Sequence, residues 1–178
     1  MWREVGSSGE RTIQGGPCRD PGGARDRPRR VEASRHVFIG EFRHSVDDKG
    51  RVAVPVRFRS ELAGGAIVSK WIDGCLAIHS RNAWESLAER AGHLPVTDAG
   101  ARTFQRFLFG TAFEVTLDGQ GRIVIPQVLR DFAGLRADVQ VVGSRDHVEL
   151  WAPDRWSAYS AEMDAPEVLA QHLQGLGI

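Results

Sequence analysis

Apolar and polar positions alternate in short, well-bounded runs along this chain. Val37–Val46 (VFIGEFRHSV) is rich in strand formers and sets Phe38 and Phe42 on one face. Asp47-Asp48-Lys49-Gly50 is turn chemistry: Asp bonds its own following backbone and Gly accepts a positive φ. From Arg51 to Pro55 the period is two, with Val52 and Val54 on one face and Arg51 and Ala53 on the other. Pro55 lacks a backbone donor, so it ends the strand or opens the next helix, and Val56–Leu62 fits a short helix stopped at Gly64-Gly65. Two strands are predicted over Ala66–Ile72 and Cys75–His79, joined at Asp73-Gly74. Ser80 then caps a helix through Ala91, with Trp84, Leu87, Ala88 and Ala91 as its apolar stripe.

His93–Val96 (HLPV) is a natural boundary, followed by a predicted helix from Asp98 to Leu108. Then the pattern returns. Phe109 and Phe113 stand where Phe38 and Phe42 stood, and LDGQGRIVIPQVLRDFA from Leu117 repeats VDDKGRVAVPVRFRSEL from Val46. The turn Leu117–Gly121 leads to a strand over Arg122–Pro126 and a short helix over Val128–Phe132, stopped by Gly134. Val139–Val142 and His147–Trp151 repeat the hairpin, and Pro153 opens a helix bearing Trp156 and Tyr159. The tail from Asp164 is a short apolar helix.

The chain is therefore an internal duplication: repeat 1 over 37–92, a linker and helix over 93–108, repeat 2 over 109–163, and a tail over 164–178. A half of about 70 residues has too little core to stand alone. Two halves packed face to face about a pseudo-two-fold axis would supply one. Residues 1–36 are rich in Gly, Arg and Pro without any amphipathic period, and are expected to be a disordered extension. Translation could begin at Val37, since a GTG codon can initiate.

Composition narrows the classes. Hydrophobic content of 42% suits a packed core, and no run of about 18 apolar residues predicts a membrane span. Cys18 and Cys75 form no CxxC pair, so a reducing, cytoplasmic setting is expected and no zinc site. Net charge is zero overall, with +3 on residues 1–36 and −3 on the rest. A partner bound through bulk positive charge is excluded; binding of nucleic acid would rest on a few placed arginines.

Arg51 and Arg122 are the first candidates. Each follows a glycine turn on the polar face of a strand, where a guanidinium can fork onto guanine O6 and N7 or clamp a phosphate. The alternative is a structural arginine pinned to Asp47 or Asp118, and both can hold at once. Asp47 and Asp118, with Gly50 and Gly121, read as turn and orienting residues. Arg43, Lys49, Arg57 and Arg59 make repeat 1 the more basic half, and Arg130 repeats Arg59. Repeat 2 reads as carrying Glu114, Gln120 and Gln127 against Arg43, Lys49 and Arg57. The tryptophans read as core or subunit interface before stacking platforms. No HExxH or i, i+4 histidine pair suggests a metal, and no cofactor is expected. Ser144-Arg145-Asp146-His147 holds the residue types of a triad, but neighbours in a tight turn point apart, and no enzyme activity is expected.

The pattern DxxGRhxhPxxhR, with h apolar, stands as Asp47, Gly50, Arg51, Pro55 and Arg59, and again as Asp118, Gly121, Arg122, Pro126 and Arg130. It resembles the AbrB-like swapped-hairpin DNA-binding domain. Two copies after an FIGEF-type opening, with two tryptophan-bearing helices, resemble the MraZ family from Val37 to about Met163. Residues 1–36 have no counterpart in that pattern. The resemblance implies an α+β fold of two tandem AbrB-like swapped-hairpin β-barrel repeats with flanking helices. It also implies a cytoplasmic, nucleoid-associated regulator that binds repeated boxes in double-stranded promoter DNA, represses its own division and cell-wall operon, and assembles as an octamer-type ring. Arg51 and Arg122 are the arginines it implicates in DNA contact. AbrB-like folds also serve as antitoxins, usually with one motif and a long partner-binding tail. Here the motif is doubled and the tail is short.

Overall fold

The computed structural model of the protein describes residues 37–173; the expected extension over 1–36 lies outside the described residues, as do the last five positions of the tail. The elements follow the predicted order: β1 (Phe38–Ser45), β2 (Arg51–Ala53), α1 (Val56–Leu62), β3 (Ala66–Lys70), β4 (Leu76–Ser80) and α2 (Arg81–Gly92). After α3 (Ala99–Gly110) come β5 (Phe113–Val115), β6 (Arg122–Val124), α4 (Gln127–Ala133), β7 (Asp138–Arg145), β8 (His147–Trp151), α5 (Pro153–Met163) and α6 (Pro166–Leu173). Ser80 caps α2 by accepting the Ala83 N–H at 3.3 Å, and Asp98 caps α3 by accepting the Ala101 N–H at 2.6 Å.

Two antiparallel sheets result. Six strands run in the order β1-β7-β8-β4-β3-β5, and β2 pairs with β6 in a separate ribbon. Strands are exchanged between the copies. The opening strand of the first copy, β1, pairs with β7 of the second, from Phe38↔Arg145 to Ser45↔Asp138. The opening strand of the second copy, β5, pairs with β3 of the first, through Ile67↔Glu114. The two hairpins meet at β4–β8, through Ala77↔Glu149. The six-stranded sheet ends at β1 and β5, so among the described residues it is open. The closed barrel expected from the resemblance is not found among the described residues, because the fourth pairing between the copies, β2 with β6, stands apart as its own ribbon.

One core joins both copies. Val52 and Val54 from the first, and Ile123 and Ile125 from the second, are buried from the ribbon side. They cluster with Phe58 and Leu62 of α1, Leu129 and Ala133 of α4, and Val68, Leu76, Ile78, Val139, Val141, Val148 and Leu150 of the large sheet. Phe58 meets Phe38 edge-on at 5.2 Å and Phe42 at 5.5 Å. Neither copy encloses these side chains alone, which is the physical reason for the duplication.

Two local expectations change. Phe109 was expected at the start of a strand, yet it lies in the last turn of α3, edge-on to Trp84 at 6.0 Å. The apolar stripe ending in fully buried Leu108 carries the helix on to Gly110, so β5 keeps only three residues against eight in β1. The Asp73-Gly74 turn joins β3 to β4 as expected, but through a longer loop closed by Trp71 N–H donating to Cys75 O at 2.9 Å. Asp73 and Gly74 both take positive φ, 66° and 78°.

Candidate nucleic-acid interface at the central ribbon

The ribbon is built by the duplicated phrase. Its register is Arg51↔Val124, Val52↔Ile123 and Ala53↔Arg122, so the two buried side chains sit at its centre. Reciprocal bonds extend the pairing: Val54 N–H donates to Gly121 O and Ile125 N–H to Gly50 O, each at 2.9 Å. Residues opposite each other on paired strands share a face. With Val52 and Ile123 directed into the core, Arg51, Ala53, Arg122 and Val124 form the outer face.

Each turn is locked by its aspartate. Asp47 Oδ1 accepts the backbone N–H of Lys49 at 3.0 Å and of Arg51 at 2.9 Å, while Oδ2 accepts Arg51 Nε at 2.7 Å. Asp118 repeats this, with Oδ1 accepting the N–H of Gln120 and Arg122 at 2.9 Å and Oδ2 accepting Arg122 Nε at 2.9 Å. Hydrogen bonds from the arginine backbone and then its side chain hold the Asp118 carboxyl down to about 2, and the Arg51 backbone bond leads the lowering at Asp47. The two turns touch, for Arg122 Nη1 lies 3.8 Å from Asp47 Oδ2. Both guanidinium groups are thus held on one edge by a carboxylate at a half-exposed surface, and their forks are fixed before any ligand arrives. The structural reading of these arginines is visible in the geometry: Asp118 Oδ2 also lies 2.8 Å from Arg122 Nη2, so with Asp47 near Nη1 every nitrogen of that guanidinium faces a carboxylate.

Arg59 and Arg130 have a role that spacing did not reveal. Arg59 Nε donates to Val54 O at 2.9 Å, and Arg130 Nε to Ile125 O at 3.1 Å. Each guanidinium then covers the glycine of the other copy's turn. A Cβ added to Gly50 would lie 2.7 Å from Arg130 Cζ, and one on Gly121 would collide with the Arg59 guanidinium. These glycines also take φ of 72° and 76°. The motif therefore interlocks: each copy's late arginine closes over the other's turn.

The remaining basic candidates do not all gather here. Lys49 is exposed on the first turn. Arg43 lies near the end of β1, on the face that carries Glu41, and pairs with Asp138 at 3.1 Å in an exposed contact. Arg57 stands 5.8 Å from the centre of the Phe42 ring. Helices α1 and α4 begin at equivalent prolines, so Val56 matches Gln127 and Arg57 matches Val128, one residue away from the pairing expected from the sequence. Both halves therefore expose a valine there.

A second cluster was missed by sequence reasoning. On the sheet face away from the core, His79 and His147 stack at 5.0 Å, with Trp71 5.3 Å from the first and 5.1 Å from the second. His147 lies 2.7 Å from Asp146 Oδ1 and 3.2 Å from Glu149 Oε1, and Trp151 donates to Glu149 Oε2 at 2.9 Å. Burial works against charge on His147, but the bonds to Glu149 and Asp146 outweigh it and raise its pKa. His79 is 3% exposed, and burial, followed by the charge of His147, lowers its pKa to about 4. Only the β4–β8 pairing brings these rings together, and no local motif announces it. Among the described residues no three His, Cys, Asp or Glu side chains are placed to hold a metal ion, and no helix is long and apolar enough to cross a membrane.

Comparison with known proteins agrees with the doubled ribbon. A family described as "MraZ protein, putative antitoxin-like" matches twice, over residues 37–107 and 108–174. A protein of Roseiflexus sp. (strain RS-1) is 44% identical over 141 residues, which is 79% of this chain and 99% of the relative. One of Thermomicrobium roseum is 42% identical over 142 residues, covering 79% and 99%. One of Acetivibrio thermocellus is 43% identical over 143 residues, covering 80% and 100%. Each is named transcriptional regulator MraZ. With two matched repeats spanning all but the first 36 and last four positions, the chain belongs to the MraZ family.

Proposed function

We propose that this chain is a sequence-specific DNA-binding transcriptional regulator whose contact surface is the outer face of the β2–β6 ribbon. The relatives named above are called transcriptional regulators, and the carboxylate-braced arginine, present twice at one surface, is the observation that carries the reading. A ribbon of three paired positions is about 10 Å long, which suits a major groove about 12 Å wide. Arg51 and Arg122 contact base edges or phosphate, Lys49 contacts phosphate, and Arg59 and Arg130 hold the turns while lending charge. Arg43 and Arg57 reach only flanking phosphates, since neither stands on the ribbon. The repeats act as units over 37–92 and 109–163 joined through 93–108, in the AbrB-like swapped-hairpin manner that the exchanged β1 and β5 favour.

The protein is further proposed to act in the cytoplasm, at the nucleoid, as a ring that represses its own division and cell-wall operon. The free edges of β1 and β5, with Ile39 and Phe113 exposed, favour head-to-tail assembly. Several modest sites on one ring would bind repeated boxes by avidity, which suits a chain of zero net charge. Footprinting of the DNA upstream of its own gene tests this: spaced, repeated protection that fades steeply between about 50 and 200 mM salt is expected. Absence of protection, or a flat salt response, contradicts it. The antitoxin-like wording of the family description favours a second reading, a protein-binding antitoxin, which a small protein co-purifying in stoichiometric amount would support.

A further inference from the structure

The outer face of the ribbon is not symmetric. Arg51 is paired across the strands with Val124, whereas Arg122 is paired with Ala53. Val124 is 53% exposed, although its neighbour Ile123 is fully buried. At one end a guanidinium therefore stands beside a branched apolar side chain, and at the other beside a single methyl. Nothing in the fold asks for an apolar residue at position 124, since the core is closed by Ile123 and Ile125 on either side of it.

We propose that Val124 is a specificity-determining residue that packs on the 5-methyl group of a thymine next to the base or phosphate held by Arg51. This rests on the DNA-binding reading above and deepens it. The major groove offers only one apolar handle, the thymine methyl, and a side chain that meets it distinguishes thymine from cytosine at the same place. Valine extends beyond alanine by two carbons, so the Arg51–Val124 end reaches a methyl that the Arg122–Ala53 end does not. A ribbon with unlike ends reads its box in one orientation, and the duplicated chain becomes a directional reader despite its near-symmetric backbone.

The test replaces thymines with deoxyuridine, one box position at a time, in the footprinted fragment from upstream of the gene. Wild type, Val124→Ala and Ala53→Val are titrated on each duplex. At one position, uracil is expected to weaken wild type about fourfold, the value of one buried methyl-sized group, and to leave Val124→Ala unchanged. Ala53→Val is expected to gain uracil sensitivity at a second position. Val124 is exposed and outside the core, so its alanine variant should fold, which equal thermal midpoints check. If wild type binds the fragment but no uracil separates it from Val124→Ala, the assignment of Val124 is overturned while DNA binding stands. If the unmodified fragment is not bound, both readings fall.

Discussion

Gly121→Ala tests the interlock between the copies. Gly121 sits at φ 76°, where an alanine is strained by about 1–2 kcal/mol. The added Cβ also collides with the Arg59 guanidinium, which must leave the bond it donates to Val54 O at 2.9 Å. A lost net hydrogen bond adds about 0.5–1.5 kcal/mol. The sum is about 1.5–3.5 kcal/mol, or a fall in Tm of about 3–14 °C for a fold of this size. Thermal unfolding followed by circular dichroism, at fixed protein concentration, measures it. Gly119→Ala is the control, because no positive φ and no atom within 4 Å oppose a Cβ there. A double-mutant cycle isolates the contact: in the Arg59→Ala background the Gly121→Ala cost should shrink by about 1 kcal/mol, leaving the backbone strain. A Gly121→Ala protein within about 0.5 kcal/mol of wild type, or a cycle with no coupling, would refute the interlock.

Two further outcomes follow from the same geometry. Gly143 faces Gly40 in the β1–β7 pair, and a Cβ on it would lie 2.6 Å from Ile39 N, which is backbone and cannot swing aside. Gly143→Ala is expected to cost about 2 kcal/mol or more and to speed amide exchange in β1 ahead of β3 and β4; uniform exchange would contradict local opening. His79 is a base whose pKa falls from 6.5 to about 4 on folding, so the unfolded chain binds more protons between those values. Its contribution is fully present above pH 6.5 and is lost as pH drops toward 4, by up to about 3 kcal/mol, with the raised pKa of His147 acting in the opposite sense. His79→Phe should flatten the stability profile across that window in urea titrations; an unchanged slope would remove His79 as its source.

The local elements were legible because their signals are local. The Asp-x-x-Gly turns, the alternation of Val52 and Val54, Pro153 at the start of α5, and the Ser80 cap each fix a few residues by nearest-neighbour chemistry. The duplication also showed that the copies must share a core. Which strands are exchanged was not legible, because β1–β7 and β5–β3 join residues about 45 to 105 positions apart without altering any local pattern. The same limit hid the closing of Arg59 over Gly121 and the stacking of His79 on His147. At the candidate site, spacing identified Asp47, Arg51, Asp118 and Arg122 as a set, and the structure brings all four together. Arg43 and Arg57 were grouped with them by charge alone, and charge carries no information about which face of a strand or helix a side chain takes.

The central claim is that the ribbon arginines contact DNA. Its most direct measurement is a titration of the upstream fragment with Arg51→Ala, Arg122→Ala and the double variant, each first shown by circular dichroism to keep its fold. Loss of a forked contact should weaken binding by about tenfold or more. The more basic first copy should make the Arg51→Ala loss the larger, with binding by the double variant abolished. Folded double-variant protein that binds within twofold of wild type would remove both arginines from the DNA surface and contradict the account.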